Sequence, residues 1–398
     1  MEAQRTDHAA GIDVPTLFFA AAGIAAAAVL PFVRARPNRI ADGAVRLLAD
    51  VDPAALVVLL VLWGIAGTAA LVQIAERSRA RLAILVSLAA PLCAILAAGI
   101  VTGSIAGHDP IARVSLSAGF WATAIIGYSS FLSASARAAF PGGLLSRVLG
   151  FTVPVILGAL VFSGFLDAVS VMREWAVQKT VFLAETGNHL ALSGTAVLIG
   201  TVLGITIGVS SVRRVAVRRT AFFILNIVQT IPSLALFGLL ILPLTALSHR
   251  FPLLHEWGIS GIGRAPAILA LSFYAMLPIA RNTFTALSQI PASLREAGIG
   301  MGMTRGQLLA RVELPLALPL ILAGVRTAAV QSVGNAVVAA LIGAGGLGVF
   351  IFQGLGQYAA DMILLGTLPV IAMAVVTDMM MGGLVRVMTP RPLRGEAA

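Results

Sequence analysis

Apolar runs of about 20 residues recur along the whole of this 398-residue chain, each long enough to cross roughly 30 Å of hydrocarbon as a helix. Lipid is therefore the chain's main solvent. Composition agrees: 59% of the residues are hydrophobic and 11% charged, where an ordinary soluble domain carries roughly a quarter charged residues. A water-soluble surface cannot be assembled from that inventory. The fold class expected is all-α integral membrane, with about ten transmembrane helices.

The spans are expected near residues 14–33, 54–75, 82–102, 114–133, 148–170, 190–211, 221–247, 265–281, 317–342 and 360–385. The first run is longer than a signal-peptide core and is followed by Arg34 and Arg36 rather than a small-residue cleavage site, so it reads as a retained span. If the spans alternate, the arginines near residues 77–81, 137–147, 213–219, 281–311 and 386–394 share one side, which the positive-inside bias makes cytoplasmic, with both termini. Arg34, Arg36, Arg39 and Arg46 fall on the other side, partly balanced by Asp42, Asp50 and Asp52. The net charge of +10 thus sits in short loops and forms no single nucleic-acid-binding face. Cys93 is the only cysteine, which excludes an internal disulfide and a cysteine-based metal site.

A polar connector over residues 172–188 holds the only lysine, Lys179, and separates five spans from five. It sets the expected division into an N-terminal extension (1–184), a second membrane unit (185–390) and a tail (391–398). Within the connector, 175–183 suits either a short interfacial helix or a solvated linker.

One loop, 282–316, is far longer than the rest and its pattern is helical. Ser293 and Glu296 have the spacing of a capping box, as do Thr304 and Gln307. Two short helices joined at Gly302 are expected, because glycine permits the turn that a β-carbon resists. Pro315 and Pro319 mark re-entry into the next span, proline being tolerated only in a first helical turn. The pattern alone suits equally a docking module for a partner and an amphipathic hairpin resting on the bilayer.

Within the spans, Arg326 and Asp378 are costly unless paired, since a charge in hydrocarbon opposes insertion by at least about 2.5 kcal/mol. They are expected to form a structural ion pair. Gln229, Thr230 and Pro232 make a polar kink, and Gln331, Ser332 and Asn335 put polar groups on neighbouring turns of a later span. Such groups either line a wet pathway or satisfy backbone freed by proline. Tyr274 and Phe273 offer aromatic faces of the kind that attract quaternary ammonium ions, although packing is the commoner role of aromatics in spans. The run Gly343 to Gly348 fits a dinucleotide fingerprint in letters but lacks the preceding strand. It is expected to be a tight bend, with Gly345, Gly346 and Gly348 as gate candidates. The histidines lack metal-ligand spacing and are expected to be solvated. No phosphate-binding loop or catalytic constellation is present, so the chain is expected to carry no cofactor and to be no enzyme.

Glu296-Ala297-Gly298, three residues, Gly302, nine residues, then Val312-Glu313-Leu314-Pro315 resembles the EAA loop of ABC-importer permeases. Gly298 replaces the usual second alanine and Val312 the usual isoleucine. Further stretches resemble the permeases of glycine betaine, choline and other osmoprotectant importers: Asn226 to Gly238 (NIVQTIPSLALFG), Leu277 to Thr283 (LPIARNT), Gly300 to Thr304 (GMGMT), Val312 to Pro319 (VELPLALP) and Ile342 to Gly348 (IGAGGLG). The resemblance covers about residues 185–386; the first five spans resemble the extension of one betaine-importing branch. It implies a C-terminal five-helix type I ABC-importer core in the bacterial inner membrane. It also implies a homo- or heterodimeric permease, separate ATPase subunits that hold the ATP, and an external substrate-binding protein. The ATPase-coupling residues it implies are Glu296, Ala297, Gly298, Gly302, Thr304, Leu314 and Pro315. The competing reading is an ion-coupled secondary transporter built from five-plus-five inverted repeats.

Overall fold

The computed structural model describes residues 12–38, 41–72, 75–107, 109, 111–138, 144–256 and 258–389. Arg39 and the 391–398 tail lie outside them. The chain divides into two compact units, Met1–Val177 and Gln178–Ala398, a division that falls inside the expected connector. The connector is helical, in two helices that meet at a kink at Gln178 (φ −107°, ψ 15°).

In the first unit, helices α1 (Val14–Val29), α3 (Pro53–Leu71), α4 (Glu76–Ala106), α5 (Ala118–Arg137) and α6 (Leu144–Phe162) account for the five expected spans, with α2 (Leu48–Val51) a single turn. Asp13 and Asp52 cap α1 and α3, each accepting from a backbone N–H of the first turn just ahead of a proline or a proline-containing turn that presets the helical φ. Trp63 of α3 is buried over Gly23 of α1, where a β-carbon would stand 2.3 Å from the indole. Arg137 at the end of α5 donates to Asp13 and Thr16, tying α5 to α1. Burial alone would raise the Asp13 pKa, but the hydrogen bonds from Arg137 and Thr16 outweigh it and hold the carboxyl below its ordinary value.

Two expected spans are shorter than hydropathy suggests. The first stops at Val29 and the fourth starts at Ala118, because the flanking residues form strands: β1 (Pro31–Arg36), β2 (Ala44–Leu47) and β3 (Arg113–Leu116). They make an antiparallel sheet in the order β2-β1-β3, a small addition to the helical membrane fold expected. Phe32 and Val33 are both buried at the start of β1, Arg34 is exposed, and the ladder with β2 is irregular between Pro31 and Val33, so burial along this strand does not strictly alternate.

The second unit contains α7 (Ser170–Arg213, from Gln178 onward), α8 (Val215–Thr230), α9 (Ser233–Arg250), the short α10 (Pro252–Glu256), α11 (Arg264–Ser288), α12 (Ala292–Gly300), α13 (Arg305–Leu308), α14 (Leu314–Asn335), α15 (Gly348–Gly356) and α16 (Ala360–Met388). The expected seventh span is two helices, since Ile231 and Pro232 are extended and Pro232 has no N–H to continue the ladder. Among the described residues seven helices are long and apolar enough to cross a membrane, and Val14–Val29 and Val148–Phe162 are shorter apolar helices.

Packing of α7 on α11 uses glycines one turn apart. A β-carbon at Gly200, Gly204 or Gly208 would stand 2.5 Å from Ala275, 2.9 Å from Ile279 or 2.5 Å from Thr283, so the backbones meet at a distance only glycine allows. Gly208→Val is expected to force the two helices apart, at about 1–3 kcal/mol for overpacking. Gly194→Val, on the same helix with open space at its β-carbon, is expected to be near neutral. Thermal unfolding in detergent distinguishes them, and equal melting of the two variants would show that this contact does not hold the helices together.

Candidate functional site

The loop after α11 is a folded module. Pro291 (φ −56°, ψ 141°) stands at the N-cap of α12 with no side-chain hydrogen bond. The helix therefore starts before Ser293, and the expected Ser293–Glu296 capping box does not form. Glu296 is left exposed, with no bonded partner among the described residues. At the other end, Gly302 takes φ +81°, and the N–H groups of Met301, Gly302 and Met303 bond back to Ala297, Ile299 and Gly298 carbonyls. This is the left-handed helix stop that glycine permits without strain.

Thr304 then caps α13 as its sequence pattern requires: its Oγ1 accepts from the Gln307 N–H (3.3 Å) and its own N–H donates to Gln307 Oε1 (2.9 Å). The short α13 is not isolated. It runs through a π-helical turn, Leu309–Glu313, into α14, where Leu314 and Pro315 occupy the first turn. The missing N–H of Pro315 explains the widened turn before it.

Two contacts close the module. Arg295 Nε donates to Glu313 Oε1 at 2.7 Å, and the same guanidinium bonds the Leu287 carbonyl at the end of α11. Leu308 fills the space beside Gly298, where a β-carbon would stand 2.5 Å from Leu308 Cδ1. The glycine at this position thus brings α12 against α13. Leu294, Ile299 and Met301 remain 44%, 59% and 71% exposed, and Ala297 is exposed as well. Sequence spacing located the module but missed the Arg295–Glu313 brace, because neither residue belongs to a periodic pattern.

A second constellation surrounds the glycine bend. Gly343, Gly345 and Gly346 have φ of +75°, +77° and +86°, and Gly348 packs so closely that a β-carbon would meet the Val337 carbonyl oxygen at 1.9 Å. Side chains of α7 hold the bend: Glu185 accepts the Gly346 N–H, and Asn188 Nδ2 donates to the Ala344 carbonyl at 2.8 Å. An open cleft of about 590 Å³ lies here, lined by Glu185, Asn188, Arg264 and Gly343 to Gly345. His189 is fully buried, its Nε2 3.0 Å from the Val333 carbonyl oxygen, which corrects the expectation of solvation for this histidine, while His249 is exposed.

The polar kink is occupied by its own backbone. Gln229 Nε2 donates to the Tyr274 carbonyl (2.8 Å), the Tyr274 hydroxyl donates to the Ile231 carbonyl (2.5 Å), and Thr230 Oγ1 donates to the Ile227 carbonyl (2.7 Å). Tyr274 is 5% exposed, so its ring offers no open face, and Pro232 stands at the break these bonds repair. Gln331 and Asn335 differ: they are exposed and half-buried respectively, with no hydrogen-bond partner among the described residues. Arg326 Nε and Nη2 each bond one oxygen of Asp378 at 2.6 Å, a bidentate pair between α14 and α16.

Two family models match the chain. Residues 200–393 match the binding-protein-dependent transport system inner membrane component model, and residues 13–172 match the ABC transporter permease YehY, N-terminal domain model. The chain is 39% identical, over 54% of its length and 91% of the relative's, to the glycine betaine/carnitine/choline transport system permease protein OpuCB of Bacillus subtilis. It is 40% identical, over 52% of its length and 92% of the relative's, to the osmoprotectant import permease protein OsmW of Salmonella typhimurium. Among solved structures, a chain of the MetNI methionine ABC transporter in inward-facing conformations is 26% identical over 54% of this chain and 98% of its own, with a TM-score of 0.47.

Removing either partner of the Arg326–Asp378 pair leaves a lone charge on a membrane helix, which costs about 2.5–3.5 kcal/mol at mid-bilayer. Arg326→Ala and Asp378→Ala are each expected to lower the yield of folded, monodisperse protein several-fold. The exchanged pair, Arg326→Asp with Asp378→Arg, is expected to recover part of it. Loss in one single variant with none in the other would show that the two charges do not depend on each other.

Proposed function

The chain belongs to the family of inner membrane components of binding-protein-dependent transport systems, and from that premise we propose that its solute is a small betaine-like zwitterion. It is a permease subunit of an ABC importer of the osmoprotectant class; the ATPase is a separate subunit. Its relatives include permeases of glycine betaine, carnitine and choline transport systems, solutes that share a quaternary ammonium group. This common chemistry supports the choice of solute. In this reading the protein sits in the bacterial inner membrane with the 282–316 loop and both termini cytoplasmic, and pairs with a second permease subunit, ATPase subunits and an external binding protein.

The observation that carries the coupling role is the continuity of the loop with the spans. The ATPase docks on α12, where Leu294, Ala297, Ile299 and Met301 are exposed, and Glu296, freed from capping, meets a basic group there. Displacement of α12 passes through Gly298 and Leu308 into α13, and on through Leu314 and Pro315 into α14. Gln331 and Asn335, on that same helix, present neutral amides to a solute without net charge. The bend at Gly345, Gly346 and Gly348 closes the outer side. A five-plus-five inverted repeat is disfavoured: the units match different family models, and only the first carries a sheet among the described residues.

Reconstitution with ATPase subunits and a binding protein tests the assignment. Uptake of labelled glycine betaine is expected to require ATP and both partners; uptake driven by an ion gradient without them would overturn it. Gly302→Pro and Glu296→Lys are expected to cut ATP-dependent uptake at least tenfold while ATP hydrolysis persists. Full uptake in both variants would place the transmission elsewhere.

A further inference from the structure

One cation of the second unit has no part in the transport reading so far. The span expected to end at Arg281 continues to Ser288 as α11, which leaves this residue two turns, or about 10 Å, inside the helix. Its Nη2 donates to Asn226 Oδ1 at 3.0 Å. Asn226 lies three turns into α8, about 17 Å along the axis from Val215. In the orientation proposed above, Val215 and Ser288 are the cytoplasmic ends of these helices. An arginine near a helix end ordinarily stretches its head back to the aqueous surface; Arg281 is instead held to a partner deep along α8.

Among the described residues Arg281 makes no ion pair and no hydrogen bond besides the one to Asn226, and both side chains are exposed. An exposed charge at that depth cannot face hydrocarbon; such residues line a wet path or meet a counter-charge. A guanidinium only donates, so Asn226 must turn Oδ1 toward it, which leaves the Nδ2 group without a partner among the described residues. The pair thus offers free N–H groups and a positive charge, the complement of a carboxylate. Its position also suits the pathway. A β-carbon at Gly324 of α14 would stand 2.9 Å from Asn282 Cβ, so α14 packs on α11 at this level. Gln331, two turns further along α14, is about 10 Å outward of it.

We infer that Arg281 and Asn226 receive the carboxylate of the passing solute, on the cytoplasmic side of Gln331 and Asn335. This site rests on the betaine-like solute proposed above and adds a requirement to it: the favoured class carries a carboxylate as well as a quaternary ammonium group. A quaternary ammonium ion without a carboxylate gains nothing at Arg281 and is repelled by its charge.

The test uses the full chain reconstituted with its ATPase subunits and one binding protein that captures both glycine betaine and choline, each labelled and supplied in turn. The preference of the binding protein is common to every permease variant, so a change in the ratio of the two uptake rates reports the permease. Arg281→Gln is expected to lower glycine betaine uptake about tenfold, as loss of a hydrogen bond to a charged group does, and to leave choline uptake equal or higher. Arg281→Lys, which keeps the charge without the planar fork, is expected to restore part of the ratio. Asn226→Ala is expected to shift the ratio in the same direction by less. Removing a membrane-embedded charge does not oppose insertion, and equal thermal unfolding of wild type and Arg281→Gln in detergent checks that the variant is folded. Equal loss of both solutes in Arg281→Gln would make the residue a structural link between α8 and α11 and overturn the site, as would no loss of either. Wild type that imports neither solute with ATP would instead overturn the proposed solute class, and this site with it.

Discussion

A peptide group inside hydrocarbon finds no water, so every interruption of a membrane helix must be repaired by the protein itself. The second unit shows how completely this governs its polar residues. Where Pro232 breaks the α8–α9 span, the Tyr274 hydroxyl takes the Ile231 carbonyl and Gln229 takes the Tyr274 carbonyl. Where the chain bends at Gly343 to Gly346, Glu185 and Asn188 receive its freed N–H and carbonyl. Arg295 does the same for the Leu287 carbonyl at the end of α11. A polar side chain at a break is thus first a backbone partner, and only those left over are free for solute. By that logic Gln229, Thr230 and Tyr274 are engaged with backbone in this conformation, while Gln331 and Asn335 are left without a bonded partner among the described residues.

The same constraint separates what sequence patterns reveal from what they conceal. Spans, the glycine at Gly302 and the Thr304 cap were legible because each is encoded within a few consecutive residues: hydropathy over one helix, or a cap and its partner three positions on. The Ser293 box failed although its letters fit, since Pro291 fixes a φ that starts the helix too early for Ser293 to cap it. The braces were hidden for a different reason. Arg295–Glu313 spans 18 positions and Glu185–Gly346 spans 161, and only the folded chain brings such pairs together. The sheet was hidden because strands of four to six residues merge with flanking apolar helices in any window wide enough to find a span. Its arginines gave the one visible sign, a basic loop on the side that positive-inside orientation disfavours. As strand residues above a buried core they have a local reason to be there that orientation alone does not supply.

Rigidity in the α12–α13 module follows from how its parts are joined. A helix pair linked only by Gly302 would swing about that residue, because φ of +81° costs glycine little and neighbouring values cost little more. Three other connections remove the freedom. The Thr304–Gln307 box fixes the start of α13, Leu308 keys into the missing side chain of Gly298, and Arg295 grips both Glu313 and the end of α11. A push on α12 is therefore divided between two spans, α11 through the Leu287 carbonyl and α14 through the π turn. The π turn is the weakest link in that path, since its widened hydrogen bonding is what the absent N–H of Pro315 imposes. Motion between the module and the spans is expected to concentrate there rather than at Gly302, so the glycine sets the angle of the knob while the proline sets where it flexes.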